Sequence, residues 1–482
     1  MLFNSIHFLI FFPIAVLLYF SIKHRHRWIL LLIASYYFYM TWNAKYIILL
    51  IISTLTTYLC ALGIEKYNKD GIKKFFLWLC IILNLSLLFT FKYFNFFSKS
   101  IEKFFELFSV QFSSPALNVL LPIGISFYTF QKLSYIADVY REKIRAETHL
   151  GIFAVYGSFF PQLVAGPIER AENLLHQFYE KHSFDFKRIF DGLKLMLWGF
   201  FKKVVIADRL AIVVAQVYNN VDNYTGLPLI LATVFFAFQI YCDFSGYSDI
   251  AIGAAQVMGF KLTDNFKRPY FSRSIAEFWR RWHISLSSWF RDYLYIPIGG
   301  NRVTIPRWYL NIFIVFLVSG LWHGASWTFV AWGGLHGAYL IFSLMTKTIR
   351  EKFSNAVGLN KIPKIHMIIQ TIVTFILVNA AWIFFRANSL SDAVYVLTHL
   401  FSGLSFDISG ISLGGIGYDG LFIALASIVL MELVHFSQEH GGMRRFLSER
   451  PAWFRWGAAF IIIFAILLFG IFESKQFIYF QF

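Results

Sequence analysis

Apolar runs long enough to cross a hydrocarbon layer recur along the whole chain, and they restrict what it can fold into. "IIQTIVTFILVNAAWIFF" (368–385) and "WGAAFIIIFAILLFGIF" (456–472) are two of them. Each approaches the roughly 20 residues that a helix needs to span about 30 Å of lipid. In that medium backbone N–H and C=O groups must be satisfied within the protein, which makes the α-helix the natural spanning element. The chain has 482 residues, 58% of them hydrophobic, and a mean hydropathy of +0.59. A water-soluble fold of this size cannot give so much apolar side chain polar cover. The expected class is an all-α polytopic membrane protein with about 11–12 transmembrane helices plus re-entrant and interfacial helices, in a single membrane domain over 1–482.

Apolar spans fall near 7–22, 28–42, 46–64, 75–91, 117–136, 188–206, 227–244, 308–324, 327–346, 367–386, 421–437 and 456–473. The first, "MLFNSIHFLIFFPIAVLLYF", has no basic leader region and no small-residue cleavage site, so it reads as a retained span. Cys60, Cys80 and Cys242 are far apart in apolar runs and read as small hydrophobes, not as a disulfide framework or a metal site. The net charge of +16 does not call for nucleic acid, because the basic residues gather in alternate loops. "KHRHR" (23–27), "EKYNKDGIKK" (65–74), "YREKIR" (140–145), "FKRPYFSRSIAEFWRR" (266–281), "KTIREK" (347–352) and "MRRFLSERPAWFR" (443–455) fall on one side. The opposite connections, such as 221–226 and 402–417, carry no Lys or Arg. The positive-inside rule makes the basic side cytoplasmic and puts both termini outside.

Two segments resist this simple division. "GIFAVYGSFFPQLVAGPIER" (151–170) is apolar but interrupted by Pro161, Gly166 and Pro167, which predicts a re-entrant or broken helix covered by protein. Residues 261–302 hold eight Lys or Arg against three Asp or Glu, with aromatics throughout. On a continuous helix over 278–293, Phe278, Trp282, Leu286, Trp289 and Tyr293 make an aromatic stripe. Arg280, His283, Ser287 and Arg291 make the opposite face, which suits lipid headgroups or the phosphates of an anionic donor.

"FLVSGLWHGASWTF" (316–329) places His323 inside a span. Ionisable residues there usually face a protein interior or an aqueous cavity and mark function. Small neighbours, Ser319, Gly320, Gly324 and Ala325, let a helix or a substrate approach, and a neutral imidazole can take a proton from a hydroxyl. His336 lies about 220° further around a helix and is read as structural. Asp243 and Asp249, six residues apart, sit on different helix faces. They read as partners for the arginines of 261–302 or as helix caps, not as a catalytic carboxylate pair. No P-loop, GxSxG or HExxH string occurs.

Longer strings now carry a resemblance. "SFYTFQKLSYIADVYR" (126–141), "FFPQLVAGPIER" (159–170), "QIYCDFSGYSDIAIG" (239–253), "FWRRWHISLSSWFRDYLYIPIGGNR" (278–302) and "SGLWHGASWTFVAWGGLHG" (319–337) resemble the membrane-bound O-acyltransferases. The closer likeness is to the bacterial branch that O-acetylates alginate or peptidoglycan, and it runs from the first span to about residue 390. The resemblance implies a helical bundle thinned at its centre, with a catalytic core over 117–345 and further helices over 346–482. It implies His323 as the general base and His283 as the second site position, polarising or orienting a thioester. Arg280, Arg291 and Ser287 become candidates for holding acetyl-CoA, the donor substrate, and no metal is expected. Implied partners are an extracytoplasmic acetyltransferase, membrane lipid and a cell-envelope polysaccharide, at the cytoplasmic membrane. Competing readings are a polysaccharide-intermediate transporter or flippase without acyl transfer, a scaffold that recruits a soluble transferase, and D-alanyl transfer to teichoic acid. Repeated halves, common in transporters, are not visible here.

Overall fold

The computed structural model describes residues 1–113, 115–403, 417–439, 450–472 and 477–478. Most of the 402–417 connection and the first part of the basic stretch 443–455 lie outside the described residues. Those described form helices and connections, with no strand among them. Seven helices among them are long and apolar enough to cross a membrane: Ala44–Lys66, Asp70–Glu106, Leu227–Met258, Ile305–His323, Trp327–Met345, Pro363–Arg386 and Gly417–Glu439. Ile6–Ser21 and Trp453–Phe469 are shorter apolar helices. The chain is a multi-pass membrane protein.

Three of the apolar runs take other forms. The run at 28–42 becomes helix Arg27–Met40, whose 14 residues rise only about 21 Å at 1.5 Å each. In the run at 117–136 the helix starts only at Ile125, after Gly124 in the left-handed region (φ 77°). The run at 188–206 lies on a helical stretch interrupted by a π-helical turn, Phe201–Ala207, that carries Lys202 and Lys203.

The chain divides into two compact units. The first comprises Met1–Leu193 and Ala251–Thr263. At its centre stands helix Ile125–Tyr140, buried along nearly all its length. Lys132 on this helix is fully buried, and its ammonium donates to Ser53 Oγ and Thr54 Oγ1 (3.0 Å each) and to Leu50 O (3.3 Å). The segment expected to be re-entrant is a broken helix. Leu150–Ser158 and Phe160–Leu163 are separate short helices, and every residue from 152 to 169 is buried. Side chains supply what the break removes: Gln131 and Gln162 both donate to Tyr156 O (2.9 Å each), and Phe160 N donates to Ser35 Oγ (3.1 Å). An unpaired backbone group here would cost on the order of 1–3 kcal/mol.

The second unit comprises Lys194–Ile250 and Asp264–Phe482. Its tightest contact is a hairpin of Ile305–His323 and Trp327–Met345, with Ser326 capping the second helix through Thr328 N. The helices meet at glycines. A Cβ on Gly320 would lie 2.2 Å from Phe329 O, and one on Gly333 would lie 2.2 Å from Phe316 O. Main chain blocks both places, so no side-chain movement can make room. Gly333→Ala is therefore expected to destabilise the detergent-solubilised protein by about 1–3 kcal/mol or more, read as a lowered thermal midpoint. Gly457→Ala, whose Cβ would have nothing within 4 Å, is the control that should leave the midpoint in place.

Candidate active site

Residues 278–293 do not form the single helix that their spacing predicts. Ser274 caps a first helix, Ile275–Arg281, through Glu277 N (3.2 Å). The backbone then opens at Trp282 (φ −104°, ψ 128°) and turns left-handed at His283 (φ 43°, ψ 56°). A second helix, Ile284–Phe290, follows and passes into the π-helical turn Arg291–Tyr295. The break is held from outside the window. Asn265 O accepts from Ile284 N (3.0 Å), while Asn265 Oδ1 accepts from Ser285 N (3.2 Å) and Ser285 Oγ (2.7 Å).

A helical wheel carries its phase only along an unbroken backbone, so the supposed cationic face separates. His283 is fully buried, whereas Arg280 and Arg291 are exposed. Arg291 pairs with Asp292 at 2.8 Å, and Ser287 Oγ donates to Trp282 O at 3.2 Å. The aromatic stripe survives better: Phe278, Trp282, Leu286 and Trp289 are all buried. Glu439 collects two guanidiniums, Arg268 at 2.6 Å and Arg281 at 3.0 Å, and Arg281 also pairs with Glu277 at 2.8 Å.

The break brings His283 to His323. His323 is the last residue of Ile305–His323 and is 2% exposed. The two ring centroids lie 6.4 Å apart with planes at 60°. Aromatic rings enclose the pair. Phe244 meets His283 edge-on at 4.6 Å, and Trp332 (5.0 Å) and Phe385 (5.6 Å) meet His323. Trp322 touches both, at 5.0 Å from His323 and 6.1 Å from His283. Burial holds the His283 imidazole down to about 3, so the ring is neutral near pH 7. His336 does not join the pair. It stands 5.0 Å from Trp332 on that ring's other contact, and its Nδ1 accepts from Trp279 Nε1 at 3.3 Å.

Asp243 and Asp249 also find other partners than expected. Asp243 pairs with Lys203 at 2.6 Å and Asp249 with Lys202 at 2.8 Å, and Lys203 further binds Asp208 at 2.9 Å. The arginines of 261–302 are not involved in these pairs. The reason lies in backbone approach, since a Cβ on Gly199 would come within 2.6 Å of Gly246 O. That closeness puts the adjacent lysines against helix Leu227–Met258. The string "FFKKVV" (200–205) carried the signal, two lysines within an apolar run, and the sequence reading passed over it. Among the described residues no group of three or more His, Cys, Asp or Glu could hold a metal ion.

Comparison with known proteins now adds to the geometry. The sequence pattern of the membrane-bound O-acyltransferase family matches residues 31–385. The chain belongs to that family. It is 38% identical to a Pseudomonas aeruginosa protein described as "Probable alginate O-acetylase AlgI", over 93% of this chain and 83% of the relative. A protein of the same description from Pseudomonas syringae pv. tomato is 41% identical over 91% of this chain and 83% of its own length. The peptidoglycan O-acetyltransferase of Helicobacter pylori is 36% identical, over 82% and 79%. The chain is an acyltransferase, and these relatives are described as O-acetylating alginate or peptidoglycan.

The family string around 159–170 holds one more buried acid, within the first unit. Glu169 is 0% exposed and accepts from Thr263 N (2.5 Å) and Thr263 Oγ1 (3.1 Å). Burial outweighs those bonds and pushes its carboxyl up to about 7 from 4.5. Between those values the folded state holds a proton that the unfolded state has lost. Raising the pH through that window therefore removes stability that this group contributes below it. The thermal midpoint of the native protein should fall relative to that of Glu169→Gln as pH rises from about 4.5 to 7. A constant difference across the window would show that Glu169 titrates at its ordinary value.

Proposed function

We propose that the buried histidine pair transfers acetyl from cytoplasmic acetyl-CoA to a hydroxyl, and that the acetyl group ends on a cell-envelope polysaccharide outside the membrane. The observation that carries this reading is the pair itself: two imidazoles 6.4 Å apart inside an aromatic shell. It is joined by relatives described as acetylating alginate and peptidoglycan. His323 takes the proton of the acceptor hydroxyl as its oxygen attacks the thioester carbonyl carbon. His283, neutral because it is buried, directs an N–H to the carbonyl oxygen as charge develops there. The C–S bond then breaks, and the departing thiolate recovers the proton from His323, so the acetyl group moves with no net proton exchange.

The exposed guanidiniums of Arg280 and Arg291 are suited to the phosphates of CoA at some distance from the chemistry, with Ser287 on the intervening helix Ile284–Phe290. Basic loops on the cytoplasmic side and both termini outside would let donor and acceptor approach from opposite faces of the cytoplasmic membrane. The decisive experiment incubates purified protein, together with the extracytoplasmic partner that carries the acceptor hydroxyl, with labelled acetyl-CoA, other short acyl-CoAs and carrier-bound acyl groups. His323→Ala should lower acetyl transfer about 10²–10⁴-fold while the variant still folds. His283→Ala should lower kcat, whereas Arg280→Ala and Arg291→Ala should raise the donor KM more than they lower kcat. A well-folded His323→Ala variant with the native rate would overturn the assignment.

The acceptor at His323 is proposed to be a slim hydroxyl on a separate extracytoplasmic acetyltransferase, which then acetylates the polymer. A hydrated polysaccharide would lose much of its water before reaching a residue only 2% exposed. Cells lacking that partner should make unacetylated polymer while this protein still binds CoA. Purified protein acetylating an oligosaccharide by itself at the native rate would rule out the relay.

A further inference from the structure

The lysine–aspartate cluster of the second unit is not used by the chemistry above, yet it adjoins the site. Lys203 grips Asp243 and Asp208, and Lys202 grips Asp249 and, at 2.9 Å, Ser245 Oγ. Both lysines and Asp208, Asp243 and Ser245 are buried, and Asp249 is partly so. Three of the four gripped groups lie on helix Leu227–Met258, within two turns. Phe244 stands between two of them, and its edge meets the His283 ring at 4.6 Å.

An ion cluster of this kind is a poor way to gain stability. Desolvating the charges costs about as much as their attraction returns, and apolar replacements of whole clusters are often neutral or stabilising. What it supplies is register. Where Gly199 and Gly246 face each other, the helices present smooth backbone along which one can slide against the other. Directional bonds from two consecutive lysines on a π-helical turn allow only one setting, and π-turns recur at functional sites.

We infer that Lys203 and Lys202 are positioning residues for acyl transfer: they fix helix Leu227–Met258 in the register at which Phe244 holds the His283 ring beside His323. This rests on the histidine-pair reading. The test compares four variants with the native protein for thermal midpoint, donor KM and kcat. Lys203→Met should lower both the midpoint and kcat, because it takes the shared cation from two buried carboxylates. Lys203→Met/Asp208→Asn/Asp243→Asn removes the charges together and should recover the native midpoint. Its kcat should stay at least tenfold low, with donor KM within twofold. Phe244→Leu should show the same kcat loss at a near-native midpoint, and adding it to the triple variant should cost little more, as expected for two changes on one path. His283→Ala is run alongside. A triple variant that regains native kcat together with its midpoint, or a Phe244→Leu variant with native kcat, overturns the positioning role while His283→Ala remains impaired. Native kcat in His283→Ala overturns the histidine-pair reading itself, and the positioning role with it. Should the triple variant fail to fold, Lys202→Met/Asp249→Asn, which removes the other pair together, is read in the same way, and native kcat there overturns the positioning role.

Discussion

Hydrocarbon offers no hydrogen bonds, and the arrangement of this protein follows from that one lack. Lipid-facing positions can be almost wholly apolar, as exposed Ile461, Phe464 and Leu468 illustrate. Every polar group among the interior helices needs a partner from the protein. Lys132 meets two hydroxyls and a carbonyl, the opened helix near Tyr156 is closed by two glutamines, and Lys202 and Lys203 face carboxylates. Apart from Gln162, six residues from Tyr156, each partner named here comes from a different part of the sequence. The polar contacts therefore dictate which helices meet, while the apolar ones mostly report that they have met.

That division also explains what the sequence disclosed. Span length is a local property, so the long apolar helices could be read directly, and so could the break at Pro161, Gly166 and Pro167. His323 was visible because an imidazole in such a run is rare for a chemical reason. The phase error over 278–293 has a different origin. The residue that holds the start of the second helix, Asn265, lies more than ten positions before the window, and no periodicity within the window carries its effect. Asp243 and Asp249 were noticed as charges, but their partners depend on how closely Gly199 and Gly246 allow two backbones to approach. Distance along the chain hid the pairing. The assignment of Arg280 and Arg291 to one face with His283 failed for the same reason as the helix itself.

The aromatic shell links these observations to chemistry. Trp332 lies at 5.0 Å from both His323 and His336, and Trp382 and Phe385 pack behind it. A thioester brought to this pair would meet few competing waters, and loss of acyl groups to hydrolysis is the side reaction that such a site must suppress. The same rings bring a low dielectric, which keeps His283 uncharged and makes any aligned N–H dipole act strongly. Exclusion of water and tuning of the imidazole are thus one property of the packing.

His283 itself occupies backbone that suits glycine. At φ 43° its Cβ crowds the neighbouring main chain, at a cost on the order of 1 kcal/mol that glycine would not incur. Glycine there would relax the turn between the two short helices and remove the imidazole at the same stroke. Glycine would also empty the buried space between Phe244 and Trp322, a cavity costing about 2–5 kcal/mol. Random mutagenesis scored only on heat tolerance would therefore keep a ring at position 283 in spite of the backbone it must adopt.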